Sequence, residues 1–140
     1  MIIWAYKNEN GVLCCALLQK SVPQGVEAIQ LEVSSPDDVI LDESGNITIK
    51  SQEQKLQELK NQKLEYLKKY VYSLLFSTDY VITKILEAQV NGLPTSDLLT
   101  QYQNILTQRQ NIRNWNNQKE QEINNATTIE ELNNINLKFE

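Results

Sequence analysis

The stretch LEYLKKYVYSLLFSTDYVITKI, residues Leu64 to Ile85, decides the fold. Within it Leu64, Leu67, Val71, Leu74, Thr78, Val81 and Ile85 recur at alternating spacings of three and four. That a/d pattern lays one apolar seam along one side of a helix. Thr78 and Asp79 start helices better than they fill them, so a break is expected near 77–79. Upstream, Ser51 with Gln54 fits a capping box and marks where the helical part begins. Downstream, Asn91-Gly92-Leu93-Pro94 combines a left-handed stop with a proline and predicts a turn over 91–95.

A second helix is expected from Thr95 or Ser96, with Asp97 complementing the positive end of its dipole. Its seam runs Leu98, Tyr102, Ile105, Arg109, Ile112, Asn116, Lys119 and Ile123, and the last half of it is polar. Polar groups at seam positions weaken packing but fix register, so this end is either a splayed tip or a surface awaiting a partner. Asn124-Asn125-Ala126 ends the helix, and Thr128 with Glu131 forms a second capping box that opens a short helix over 128–139, bearing Leu132, Ile135 and Phe139. Residues 51–140 thus predict a helical hairpin or coiled coil. Helices of about 30 residues would span roughly 45 Å, so we expect self-association through them as a dimer or trimer.

The first third reads differently. Apart from Gly92 and Pro94, every glycine and proline lies there, between β-branched runs. Ile2 to Lys7 predicts a strand, Asn8-Glu9-Asn10-Gly11 a hairpin turn and Val12 to Gln19 the partner strand. Ser21 to Gly25 breaks the chain, and Val26, Ile29, Leu31 and Val33 suggest a third strand. Ser34 to Asp38 turns, and Val39–Leu41 with Ile47–Ile49 makes a second hairpin around Glu43-Ser44-Gly45. Residues 1–50 then form a small β-rich domain, and the fold class is α+β: a small N-terminal antiparallel β-sheet, a long helical hairpin or coiled coil, and a short C-terminal helix.

Composition narrows function. The 140 residues contain no histidine, which removes the Ser-His-Asp and Cys-His nucleophile systems and histidine-ligated metals. Asn and Gln number 29 against 4 Gly and 3 Pro, which describes hydrogen-bonding helical surface and not a loop-built active site. Thirteen basic against 18 acidic residues give a net charge of −5, a poor match to nucleic acid. Apolar runs such as Val12–Leu18 and Val71–Phe76 are far too short to cross a bilayer, and Met1–Asn10 lacks a signal-peptide pattern. Neither membrane nor export is therefore expected, and the sequons at Asn46 and Asn125 are chance matches in an Asn-rich chain. The neighbours Cys14 and Cys15 point to opposite faces of a strand and predict two free thiols in a reducing compartment. No catalytic residues, no cofactor and no metal site are expected.

One constellation stands out. Arg109, Arg113 and Trp115 lie within two turns, with Tyr102 a heptad earlier. Two arginines four apart can present paired guanidinium forks to a carboxylate or phosphate. The competing reading pairs them with acids of the neighbouring helix, such as Glu87 or Asp79, and packs Trp115 on the hairpin partner. The acidic cluster Asp37, Asp38, Asp42 and Glu43 follows turn chemistry, since its glycine is misplaced for a calcium loop.

Leu75-Phe76-Ser77-Thr78-Asp79-Tyr80, the following Val81 to Glu87, Gln101-Tyr102-Gln103 with Arg109 and Arg113, and the ending Ala126 to Leu132 together resemble the C-terminal part of tailed-phage tail fibre assembly and tail chaperone-like proteins. The resemblance covers about residues 55–135. Tyr80 stands where Trp is commoner, and Gln103 where Arg often follows the Tyr. It implies a small, non-catalytic protein of the host cytoplasm that binds a phage tail fibre or another tail protein during assembly. A permanently incorporated virion component and an inhibitor of host defence that holds an anionic ligand or a host protein are the rival readings. The resemblance and the Arg109, Arg113, Trp115 and Tyr102 constellation together make Thr78, Asp79, Tyr80, Tyr102, Arg109, Arg113 and Trp115 the partner-binding candidates. Thr78 would cap the turn that follows, Asp79 would favour its N-terminus, and Tyr80 would bury its ring at the break.

Overall fold

In the computed structural model, which describes residues 1–140, strand β1 (Ile2–Lys7) sits at the centre of a three-stranded antiparallel sheet of order β2-β1-β3. Ile3 and Ala5 are fully buried while Ile2 is exposed and Trp4 and Tyr6 are half-buried, the two-residue alternation of a strand with one covered face; Lys7, at the strand's end, leaves that face exposed. Strand β2 (Leu13–Ala16) pairs Trp4 with Ala16 and Tyr6 with Cys14, and β3 (Ala28–Glu32) pairs Ile3 with Leu31 and Ala5 with Ile29. Strands β4 (Val39–Leu41) and β5 (Ile47–Ile49) make a separate hairpin. The core of this part is Ile3, Ala5, Val33 and Val39, flanked by Leu13, Leu31 and Ile47.

Both hairpins use the same five-residue loop. In Asn8-Glu9-Asn10-Gly11-Val12 the Asn8 Oδ1 accepts from the backbone N–H groups of Asn10 (3.0 Å) and Val12 (2.9 Å). In Asp42-Glu43-Ser44-Gly45-Asn46 the Asp42 Oδ1 does the same for Ser44 (2.9 Å) and Asn46 (2.8 Å). The fourth residue must enter the left-handed region, and Gly11 and Gly45 do so at φ 75° and 79°. These bonds hold the Asp42 carboxyl below the usual carboxylate range, led by the Asn46 N–H. The expected second strand is shorter than Val12–Gln19: after Ala16 the chain leaves the sheet, and Gln19–Ser21 coils into a 3-10 turn ahead of Pro23.

Helix α1 (Gln52–Phe76) opens on the expected capping box, with the Gln54 N–H donating to Ser51 Oγ at 3.1 Å and the Ser51 N–H to Gln54 Oε1 at 2.8 Å. The chain divides into two compact units, Met1–Lys55 and Leu56–Glu140. In the first, the Lys55 ammonium meets the Asp38 carboxylate at 2.8 Å.

In the second unit α2 (Asp79–Val90) follows the break, α3 (Ser96–Gln101) and α4 (Gln103–Asn125) return, and α5 (Ile129–Asn133) closes the chain. Helix α2 ends in a Schellman motif: Leu93 N–H bonds Ala88 O at 2.8 Å and Gly92 N–H bonds Gln89 O at 3.1 Å, with Gly92 at φ 67°. Two helical expectations change. The second long helix bends at Tyr102 into α3 and α4, although Leu106 N–H still reaches Tyr102 O at 3.0 Å. The last helix spans Ile129–Asn133 and not 128–139, because Asn133, Asn134 and Asn136 offer the backbone side-chain alternatives to a helix. Asn136 Oδ1 in fact accepts from the Lys138 N–H at 3.0 Å.

The heptad seams form the core. Leu67, Ile123, Ala126 and Leu132 are buried together, with Leu64, Val71, Trp115 and Ile135 against them. Part of the amide surface is occupied locally, by i,i+4 pairs between Gln57 and Asn61, Gln110 and Asn114, Asn116 and Glu120, and Gln118 and Glu122, all at 2.9–3.1 Å.

Candidate functional site

Arg109 projects from α4 toward the break between α1 and α2, and only 7% of it remains exposed. Its Nη1 donates to Leu75 O at 2.8 Å and to Thr78 Oγ1 at 2.7 Å, and its Nη2 donates to Asp79 Oδ1 at 2.9 Å. The Thr78 hydroxyl in turn donates to Leu75 O at 3.0 Å. One planar fork therefore joins a carbonyl in the last turn of α1, which also accepts from the Thr78 N–H at 3.0 Å, to a carboxylate in the first turn of α2. The break predicted at 77–79 is real, and the acid chosen by Arg109 is Asp79, one of the two the sequence offered.

Thr78, Asp79 and Arg109 are thus joined, and Arg113 stands apart. Four residues advance a helix by about 40° beyond a full turn. At the edge of a buried face that is enough to put Arg109 inside and Arg113 in solvent. The paired-fork anion clamp is not formed, since one of its two guanidiniums is already engaged by protein groups. Thr78 also departs from its expected role: it occupies the N-cap of α2 without a side-chain capping bond, its hydroxyl turned back to Leu75.

Tyr80 does not bury its ring; half of it is exposed. It meets Tyr102 edge-on at 6.1 Å between centroids, and the Lys84 ammonium lies 5.7 Å from both ring centres and 3.3 Å from the Tyr102 hydroxyl. This cation–π contact links α2 to the bend at Tyr102. Trp115 packs on the hairpin partner as one reading had it, edge-on to Tyr70 at 6.0 Å, and on its other side meets Phe139 at 5.6 Å. Phe139 lies in the non-helical tail, and its N–H reaches the Tyr70 hydroxyl at 3.3 Å.

The polar half of the second seam leads to a surface that single candidate residues did not reveal. Between α1 and α4 runs an open groove of about 450 Å³, floored by Leu64 and Val71 and rimmed by Glu65, Lys68, Asn116 and Glu120. Asn116 and Lys119 are the seam residues at which an apolar contact is replaced by a polar one. Lys119 is drawn off to Glu122 at 2.8 Å, holding that carboxyl below its ordinary range. Leu64 and Val71 pack against the buried Leu67 and Ile123 cluster and leave the rest of their surface to the groove. The signal available in sequence was the switch from Ile112 to Asn116 at one seam position, opposite unbroken apolar residues on α1.

Compared with known protein families, curated proteins and solved structures, the chain matches none.

Proposed function

We propose that this chain is a non-catalytic phage tail assembly protein that receives a segment of a tail fibre, or of another tail protein, in the groove between α1 and α4. The observation that supports this reading is the groove's make-up. An apolar floor of Leu64 and Val71 supplies desolvation, and a rim of amide, carboxylate and ammonium groups supplies adaptable hydrogen bonds. The hairpin carrying it is held at its far end by the Arg109 contacts, so the groove is presented by packed helices and not by loops. The resemblance of residues 55–135 to fibre assembly proteins gives the class of partner, and the site of action is the host cytoplasm.

Co-expression with the fibre encoded beside it tests this. Soluble, trimeric fibre should increase with the wild-type chain, and should fall back with Asn116→Lys combined with Glu120→Lys, which replaces the rim chemistry at exposed or half-exposed positions. No gain in soluble fibre with the wild-type chain would overturn the proposal. Stoichiometric recovery of the chain in purified particles would make it a resident tail component instead of a transient chaperone.

A further inference from the structure

We infer that two copies of this chain associate through the outer face of the α1–α2 segment, antiparallel and about a twofold axis. Tyr72 and Phe76 on α1, and Ile82, Leu86 and Val90 on α2, are all exposed, from 42% at Ile82 to 79% at Val90. Their spacing of four within each helix makes a continuous ridge. In both helices the ridge lies roughly 130° around the axis from the buried residues, in the same rotational sense, so the two halves continue each other across the break. Tyr72 and Phe76 already touch, at 5.6 Å between ring centres.

Area and pattern select a second copy as the occupant. From their exposed fractions, these five side chains with Leu93 leave roughly 600–700 Å² of apolar surface in water, the top of the range for a monomer's largest patch. A standard-size interface takes about 600–1,000 Å² from each partner, so the same face on a second molecule meets the lower part of that range. The ridge is also self-complementary. Its α1 half is aromatic and its α2 half aliphatic, so an antiparallel pair sets Tyr72 and Phe76 against Leu86 and Ile82 of the other copy. The association does not depend on what the groove holds.

Sedimentation equilibrium of the full chain at micromolar concentrations tests the inference. The wild type should sediment as a dimer. Leu86→Lys, at an exposed site, should sediment as a monomer with an unchanged circular dichroism spectrum and at least a tenfold weaker self-association. A monomeric or trimeric wild type would overturn the proposal, as would a Leu86→Lys variant that still dimerises.

Discussion

Replacing Arg109 by Ala should be the most damaging single polar substitution in Leu56–Glu140, and its cost can be worked from the contacts. Two of its hydrogen bonds run from a buried charged donor to Leu75 O and Thr78 Oγ1. Bonds involving a charged group contribute about 1.5–3 kcal/mol each. The Thr78 hydroxyl continues to serve Leu75 O in the variant, so the two losses do not add in full. The Asp79 side chain is 52% exposed, and its ion pair is screened to about 1 kcal/mol or less. Together these give a loss of about 3–4 kcal/mol, equivalent to a fall in Tm of roughly 15–25 °C for a unit of this size. Urea titration followed by circular dichroism at the helical minimum measures it. Arg109→Lys should recover only part of the loss, because a compact ammonium cannot span three acceptors. Arg113→Ala, at an exposed position, should stay within about 0.5 kcal/mol of wild type. If Arg109→Ala lies within 1 kcal/mol of wild type, the guanidinium is not what closes the break.

Leu132→Ala should cost about 2–5 kcal/mol by the same titration, since Leu132 is fully buried with Leu67 and Ile123 and its removal leaves a cavity. Ser51→Ala should cost about 0.5–2 kcal/mol by removing the acceptor of the Gln54 N–H, with Ser51→Gly milder. The Asp38 carboxyl is held below its usual range, first by the hydrogen bond from Lys55. Its contribution is therefore fully present above the ordinary carboxylate pKa and is lost as pH falls through the lowered folded value. An acid titration of Lys55→Met should lack that component of the wild-type profile, and an unchanged profile would show the pair to be idle. Gly92→Ala should cost about 1–2 kcal/mol, read as a lower Tm, because the residue sits at φ 67° in the Schellman turn.

The elements visible in sequence were those announced by local chemistry. Ile2–Lys7 was readable because Asn8-Glu9-Asn10-Gly11 supplies both a side-chain acceptor and a left-handed glycine directly after it. The α1 and α4 seams were readable because Leu67, Val81, Ile112 and Ile123 keep helical spacing. Features set by tertiary contacts were not. Thr78 can locally either cap α2 or bond back to the carbonyl of Leu75; the contact with Arg109, 31 residues away, goes with the second choice. The bend at Tyr102 falls where Lys84 and Tyr80 approach from α2. The tail after Asn133 forgoes the helix, and Phe139 packs on Trp115 instead. Among the candidate residues, spacing offered Glu87 or Asp79 as acids for the arginines without choosing between them, and the groove needed the distance between two helices, which no single-helix pattern contains.

The paired amides on these helices have a consequence for ionic conditions. Contacts between exposed charges fade once the Debye length shrinks from about 10 Å at 0.1 M salt to about 3 Å at 1 M. The Gln110–Asn114 and Gln57–Asn61 contacts carry no net charge on either side, so they are not screened in this way. The hairpin should therefore hold its helicity across a wide range of salt.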